Sequence, residues 1–190
     1  MKIRRALILR GFTLLETIVV IFIFSTIMFA INQLFISIYN SYHVQNAIIN
    51  NSYTAASFLN ETEELSLQAD AIVASKVVSG TTYTTSSSTL ILELPSINSS
   101  GDIISSTYDY AVITLSPSTT VSRILSANAS SARISGTKKL SDLVNSITFS
   151  YDSATPSLSK KISIDIVTQT QVKQEIVQAH LTQQVYLRNK

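Results

Sequence analysis

The chain has 190 residues, enough for one domain and an anchor, and only 14% of them are charged, against ~25% in typical soluble domains. It has no cysteine, which excludes a disulfide framework, a zinc finger and a thioredoxin-like motif. Its two histidines, His43 and His180, are too far apart in sequence to predict a multi-histidine metal site. A net charge of +2 is not the strong basic excess of a nucleic-acid binder.

A long apolar segment follows a basic start. Residues 12–31 read FTLLETIVVIFIFSTIMFAI, carry the single charge of Glu16, and as a helix would span ~30 Å, the hydrocarbon thickness of a bilayer. The next basic residue is Lys76, so the positive-inside rule predicts a single-pass protein of the cytoplasmic (inner) membrane. Its N-terminus would lie in the cytoplasm and its C-terminal domain outside. The basic residues that set this topology are Lys2, Arg4, Arg5 and Arg10.

An ordinary signal peptide also has a basic start and an apolar run. Here the run is about twice the usual length, and no small-x-small cleavage site follows promptly after it. The obvious small residue, Gly11, comes before the run and not after it. A lipoprotein signal is excluded because no cysteine is present to be acylated. A plain signal anchor remains as the alternative.

Glu16 is the informative residue, because a carboxylate in a membrane helix is costly and needs a partner. It could lie near the helix end and reach the headgroups. Alternatively, cleavage before Phe12 would place a new α-amine one turn away, and neighbouring subunits could pair amine with carboxylate. Such a pair would fix the axial register, since a misplaced neighbour leaves a buried charge unpaired.

Residues 10–16, RGFTLLE, followed by the apolar run, resemble the class III signal of type IV prepilins and pseudopilins. The resemblance implies that a prepilin peptidase cleaves between Gly11 and Phe12 and N-methylates Phe12. It also implies that Glu16 meets the Phe12 amine of an adjacent subunit during assembly. Gly11 suits this chemistry, because the missing side chain gives a peptidase access to the backbone.

A single long helix is predicted after the cleavage site, since residues 12–79 contain no glycine or proline. Past the membrane the apolar residues recur with a period of 3.5, which predicts an amphipathic helix that ends between residues 68 and 79. We therefore divide this part into a leader (residues 1–11), a transmembrane or filament-core helix (12–35) and an amphipathic helix (36–76). The periodic residues are Ile48, Ala55, Thr62 and Ala69, with Phe58, Leu65 and Ile72 between them.

Residues 77–190 show short alternating runs separated by turn residues, which predicts an antiparallel β-rich globular domain. The predicted fold class is therefore α+β, with the long helix packed on a C-terminal antiparallel sheet. Candidate strands are residues 89–94, 107–115, 120–125, 143–151, 162–168 and 175–187. Turns are predicted at 95–102, 117–118, 135–139 and 152–156, and exposed loops at 81–88 and 127–136.

This half is also similar to the large J-type minor pseudopilin of type II secretion and to W-type minor pilins. The similarity lies in residues 108–110 (YDY), Arg123, residues 140–151, Pro156 and the ending at 186–189 (YLRN). It implies a minor subunit in or beside the tip complex that primes filament assembly.

Few residues suggest any other chemistry. Serine is so abundant that a Ser-His-Asp set carries no weight, and no phosphate-binding loop or metal-binding His cluster is present, so neither an enzyme nor a cofactor is predicted. Residues 98–102 (NSSGD) offer oxygen ligands for Ca²⁺ but are more typical of an Asx turn. Lysine pairs at 138–139 and 160–161 could contact DNA phosphates but are more typical of solvated turns.

The sequence therefore predicts a minor pilin or pseudopilin that helps to initiate assembly of a type IV pilus-like filament or a type II secretion pseudopilus. The predicted partners are the prepilin peptidase, other pilin subunits and the inner-membrane assembly platform. Nucleotide binding is not predicted, and the driving ATPase would be a separate cytoplasmic protein. The alternative functions are a surface adhesin or DNA-uptake receptor on a pilin anchor, or a periplasmic enzyme on a signal anchor. Secretion, pilus and DNA-uptake machines all stay open.

Overall fold

The computed structural model describes residues 13–116 and 119–187. One long helix precedes a set of antiparallel strands, which confirms the predicted α+β class. The chain divides within the helix, between His43 and Val44, into two compact units. The elements are α1 Leu14–Gln68, β1 Ala71–Ile72, β2 Ser75–Val78, β3 Thr81–Thr84, β4 Thr89–Ile97, β5 Ile103–Leu115, β6 Val121–Ser126, β7 Gly136–Ser141, β8 Val144–Tyr151, a short 3₁₀ helix Pro156–Leu158, β9 Lys161–Val172 and β10 Glu175–Tyr186.

The described part of the amino-terminal unit is the first part of α1, up to His43. Every side chain in residues 13–39 is exposed, although most of them are large and apolar. Among the described residues, α1 is the one helix whose length and composition would let it cross a membrane, with a mean hydropathy of 2.5 in its most apolar window. Apolar surface on this scale is unfavourable in water, so the unit suits an apolar environment that the chain itself does not supply.

The carboxyl-terminal unit packs the second part of α1 against the β-sheets. Buried positions along this part follow a helical spacing of three and four residues, so one face is buried and the opposite face is exposed. Phe58 is 1% exposed and lies in the core beside apolar residues of β4 and β9. The buried helical residues are Ala47, Asn51, Ala55, Phe58, Leu59, Thr62, Leu65 and Ser66.

The predicted period along this helix is largely confirmed. Ala55, Thr62 and Ala69 are buried, as are the intervening Phe58 and Leu65. Ile48 was wrongly included, because it is 45% exposed. Asn51, which is fully buried, lies on the buried face instead.

The helix ends at Gln68, within the predicted window of residues 68–79. The predicted amphipathic helix over residues 36–76 is nevertheless too long. After Gln68 the chain pairs with β4: the N–H of Asp70 donates to the carbonyl of Glu93, and that of Val73 donates to the carbonyl of Ile91. Beyond Gln68, backbone hydrogen bonds to the edge of β4 therefore replace the helical hydrogen bonds that the 3.5-residue apolar period predicted.

All strand pairs are antiparallel. A five-stranded sheet has the order β1-β4-β5-β6-β7, a three-stranded sheet has the order β10-β9-β8, and β2 and β3 form a hairpin. One face of the five-stranded sheet belongs to the main core with α1. On its other face Ile91 and Val112 pack with Val78 and Tyr83 of the hairpin. Strand β4 is therefore apolar on both faces, and it does not alternate in the way that a half-exposed strand does.

The six predicted strands are all present, and three of them, β4, β5 and β9, are longer than predicted. Two further strands contradict the predictions of loops and turns. Residues 81–84 form β3 and not an exposed loop, because Tyr83 packs on the sheet. Residues 136–141 form β7 and not a turn; its side chains are mostly exposed, so pairing with β6 holds it in place without an apolar signal.

The remaining turn predictions have mixed outcomes. Residues 95–97 belong to β4, so the predicted turn at 95–102 is confined to 98–102. Residues 127–135 form the predicted loop, and residues 152–155 are bends that lead into the 3₁₀ helix. The predicted turn at 117–118 lies outside the described residues.

Candidate functional site at the amino-terminal end of the helix

The predicted processing site lies at the boundary of the described residues. Gly11, Phe12 and the leader cations Lys2, Arg4, Arg5 and Arg10 lie outside them, so their roles stay predictions. Thr13 and Glu16 of the same motif are described. The geometry of these two residues defines how the helix begins.

Thr13 and Glu16 form a capping box. The backbone N–H of Thr13 donates to Oε2 of Glu16 at 2.9 Å, and the backbone N–H of Glu16 donates to Oγ1 of Thr13 at 3.2 Å. Thr13 is therefore the N-cap of α1 and Glu16 its third helical residue. The two bonds satisfy N–H groups that have no partner within a helix. A Thr N-cap of this kind stabilises a helix by ~0.5–2 kcal/mol.

The capping box makes Glu16 less costly in a membrane. The Thr13 hydroxyl also donates to Oε2 of Glu16, at 3.1 Å, so Oε2 accepts two bonds. A carboxylate at the first turn also interacts favourably with the helix dipole. Among the described residues no donor bonds to the second oxygen, Oε1. A donor from outside the described residues could therefore bond to Oε1 without displacing the bonds of the cap.

The sequence analysis missed this arrangement. It considered partners for Glu16 in the lipid headgroups and in a neighbouring subunit, and not within its own helix. The signal was present, since Thr followed three residues later by Glu just before an apolar run is typical of a capping box. The nearest partner of Glu16 is therefore in its own chain.

Other polar side chains of the apolar segment also bond within the helix. The Ser25 hydroxyl donates to the carbonyl of Ile21 at 2.8 Å, and the Thr26 hydroxyl donates to the carbonyl of Ile23 at 2.7 Å. Thr17 donates in the same way to the carbonyl of Thr13. Hydroxyls that bond to their own helix can lie in hydrocarbon without an unpaired donor.

The calcium hypothesis at residues 98–102 gains no support from their geometry. Oδ1 of Asn98 accepts the N–H groups of Ser100 and Asp102, both at 2.9 Å, and its Nδ2 donates to Oδ2 of Asp102. The segment is thus an Asx turn closed by its own bonds. Within residues 13–116 and 119–187, no group of three or more His, Asp or Glu side chains is placed to hold a metal ion.

The lysines considered for DNA binding include two that pair with carboxylates. Nζ of Lys138 lies 2.7 Å from Oε2 of Glu61, and Nζ of Lys139 lies 2.8 Å from Oδ2 of Asp142. Glu61 also pairs with Arg123 at 2.8 Å. The two pairs of Glu61 tie β6 and β7 to α1, and the three pairs together leave little free positive charge at this edge.

Asp109 is a buried centre that the sequence analysis did not identify. It accepts hydrogen bonds from the hydroxyls of Ser96 and Ser131, the N–H of Asn128 and Nη1 of Arg133, at 2.7–2.8 Å. Burial raises the pKa of Asp109, but Arg133 and the other donors outweigh it and hold that pKa below its usual value. The loop at residues 127–135 is thereby fixed to β5.

Arg133 extends this centre to other elements. It also donates to the carbonyl of Pro95 in β4 and, at 3.2 Å, to Oε1 of Gln68, the last residue of α1. One side chain therefore joins the loop, the sheet and the end of the helix within the carboxyl-terminal unit. Its role is structural, since every donor bond named here goes to the protein itself.

His180 and the buried Asn51 also have protein partners. Nε2 of His180 lies 2.8 Å from Oδ2 of Asp165 on the exposed face of β9 and β10. Asn51 donates to the carbonyl of Val177 at 2.9 Å and accepts from the hydroxyl of Thr170 at 2.8 Å, which aligns α1 with β9 and β10. The ring of His43 packs edge-on against that of Tyr39.

Comparison with known proteins gives one match. Residues 10–32 match the prokaryotic N-terminal methylation motif, a stretch that runs from Arg10 through the capping box and includes the whole apolar segment at residues 12–31. No curated protein and no solved structure matches the chain. The motif is that of a structural, non-enzymatic family, and it implies processing by a prepilin peptidase and assembly with other pilin subunits. Together with the exposed apolar helix, it supports a membrane-anchored protein of the pilin or pseudopilin type.

Proposed function

We propose that the chain is a minor pilin or pseudopilin, a structural subunit that helps to initiate a type IV pilus-like filament or a type II secretion pseudopilus at its tip. The observation that carries the proposal is the methylation motif at residues 10–32, placed where a capped helix with exposed apolar side chains begins. Neither a catalytic group nor a cofactor has a part in it.

The first proposed step is processing at the membrane. Lys2, Arg4, Arg5 and Arg10 hold the leader in the cytoplasm. The prepilin peptidase cleaves between Gly11 and Phe12 and methylates the new amine of Phe12. The carboxyl-terminal unit lies outside the membrane at this stage.

The second proposed step is transfer of the helix from the bilayer into a filament. The exposed side chains of residues 13–39 exchange lipid for the helices of other subunits. Oε2 of Glu16 keeps its bonds to Thr13, while Oε1 accepts a hydrogen bond from the Phe12 amine of a neighbouring subunit. The charge pair sets the register because an unpaired charge in a dry core is costly.

The processing step is tested by the intact mass and N-terminal sequence of the full chain, produced with and without a prepilin peptidase. We expect the processed chain to begin at Phe12 and to carry one added methyl group, and Gly11→Leu to block processing. Gly136→Leu is the matched control, because a Cβ there meets no atom within 4 Å. A chain left uncut in both conditions, or cut beyond residue 31, would contradict the proposal.

The assembly step is tested by Glu16→Gln. Glutamine retains a side-chain oxygen for the capping box, so the helix start should persist. It removes the charge that pairs with the neighbour's amine, so we expect normal cleavage but loss of the chain from filaments. Incorporation of Glu16→Gln at the level of the unchanged chain would show that the charge pair has no part in assembly.

The tip role is tested by deletion of the gene. If the chain initiates assembly, the filament should be lost. If it is a receptor or adhesin on a pilin anchor, filaments should persist and binding of DNA or of a surface should be lost. The carboxylate partners of Lys138 and Lys139 weigh against DNA binding at these two lysines.

A further inference from the structure

Three aromatic rings meet on α1 just beyond its most apolar part. The ring of Tyr39 lies 4.3 Å from that of His43, and the ring of Tyr42 lies 6.0 Å from that of His43, both edge-on. Tyr39 and Tyr42 are 60% and 62% exposed. We call these three residues the aromatic cluster. Each ring has an apolar body and a polar tip, the combination that is enriched where a membrane meets water.

Polar residues mark where the hydrocarbon would begin and end along the helix. The carboxylate of Glu16, held by the capping box, marks the inner boundary. A hydrocarbon layer of ~30 Å corresponds to ~20 helical residues, which places the outer boundary near residue 36. Asn32 and Gln33 then lie about one turn inside this boundary, within reach of the headgroups.

The aromatic cluster falls in the layer just outside. Tyr39 lies 23 residues after Glu16, or ~35 Å along the axis, which is ~5 Å beyond the outer hydrocarbon boundary. The headgroup layer on each side is ~5–8 Å thick. Side chains on a helix point back toward its N-terminus, so the ring of Tyr42 lies over the turn that holds Tyr39. All three rings therefore reach the same layer.

We propose that Tyr39, Tyr42 and His43 bind the phospholipid headgroup and carbonyl layer of the outer leaflet and fix the depth at which the unassembled subunit lies in the membrane. The inference rests on the membrane anchor of the proposed function and adds where its outer boundary lies. Phenol and imidazole groups bond to lipid carbonyl and phosphate oxygens, while the ring bodies and the apolar residues Leu34, Phe35 and Ile38 face the acyl chains.

The absence of tryptophan from the chain allows a direct test. The full chain is placed in phosphatidylcholine vesicles with Tyr39→Trp as its one tryptophan, and its emission is measured with bromine on the lipid either near the headgroup or near the bilayer centre. We expect a larger loss of emission with the shallow bromine. Phe24→Trp, ~12 Å inside the inner boundary, should respond more to the deep bromine. Tyr186→Trp in β10 should respond to neither.

The outcomes separate the inference from the anchor on which it rests. Suppose that the deep bromine quenches Phe24→Trp, whereas Tyr39→Trp is quenched equally by the deep and the shallow bromine or by neither of them. The membrane anchor then stands and the inference is overturned. A blue-shifted Tyr39→Trp that no lipid quenches would instead place the ring against another protein helix, which also overturns it. If Phe24→Trp is not quenched, the membrane anchor itself is wrong.

The anchoring role is tested by removing the phenols. In the Phe24→Trp background, Tyr39→Ala with Tyr42→Ala should change the ratio of deep to shallow quenching, because the helix loses its fixed depth. Tyr53→Ala removes an exposed tyrosine outside the cluster and should leave the ratio unchanged. An unchanged ratio in the double variant would show that the cluster does not set depth.

Discussion

The two units of the chain obtain their stability in opposite ways. The carboxyl-terminal unit buries its own core, in which Leu90, Leu92, Ile164 and Ile166 are fully buried. Within residues 13–43 the amino-terminal unit buries none of its large side chains, and the hydroxyls of Thr17, Ser25 and Thr26 bond to carbonyls of the same helix. The first unit is suited to fold in water from its own contacts. The second satisfies its backbone internally and depends on lipid or other helices to cover its side chains.

A first prediction breaks the carboxyl-terminal unit alone. Asp109→Asn removes the charge opposite Arg133 in a buried network, which should cost ~3–5 kcal/mol of unfolding free energy because a buried charge is left unpaired. Urea unfolding of the full chain in detergent, followed by tyrosine fluorescence, measures it. Peptidase cleavage after Gly11 should be unaffected, since that site belongs to the other unit. A loss below ~1 kcal/mol would mean that the network relaxes around the amide.

The difference between the units also explains what the sequence could predict. Elements with a strong pattern, such as the apolar helix and alternating β9, were predicted because burial repeats at a fixed spacing. The buried centre at Asp109 could not be predicted, because its partners come from β4 and from a loop about twenty residues later in the chain. Strand β7 was missed because pairing, and not apolar alternation, holds it. Nothing in a local pattern records such long-range contacts.

The amino-terminal site was predicted by its motif and not by its geometry. Gly11, Phe12 and Glu16 were identified because their order resembles a class III signal, and residues 10–32 match the methylation motif. Their individual roles stay predictions. The capping bond between Thr13 and Glu16 was missed although its spacing is visible in the sequence. The spacing rule for capping boxes at helix N-termini would have predicted this bond.

A second prediction sharpens the comparison through pH. The pKa of Asp109 is lower in the folded chain than in the unfolded chain, where it is ~3.9, so the folded state binds fewer protons in acid. The stability that this pKa difference contributes is fully present above the unfolded pKa of ~3.9 and is lost as the pH falls through the folded pKa. Unfolding free energy should therefore drop below pH ~4, and less steeply in Asp109→Asn.

The control for this pH effect is Asp142→Asn. Its carboxyl pKa is also lowered, by the hydrogen bond from Lys139, but its side chain is 58% exposed. Solvent screens such a pair, so the acid slope should stay close to that of the unchanged chain. Equal changes of slope in both variants would assign the acid sensitivity to carboxylates in general and not to the buried centre.

A third prediction breaks the start of the amino-terminal helix and leaves the other unit intact. Thr13→Val keeps the shape of the side chain but removes the hydroxyl that accepts the Glu16 N–H. The first turn should lose ~0.5–2 kcal/mol, so this amide should exchange with deuterium ~2- to 30-fold faster in micelles. Thr13→Ser retains the hydroxyl and should exchange at nearly the original rate. The urea midpoint of the β-rich unit should not move in either variant.

The smallest effect is expected at the exposed pair of His180 and Asp165. It resembles the pair of Arg133 and Asp109 in distance, at 2.8 Å, but its side chains are 63% and 42% exposed against 16% and 0%. Exposed ion pairs contribute ~0–1 kcal/mol, and this one needs a protonated imidazole. His180→Gln should therefore change the unfolding free energy by less than ~1 kcal/mol at neutral pH. A loss as large as that of Asp109→Asn would mean that β9 and β10 depend on this contact, and that burial does not decide which charge pairs stabilise the unit.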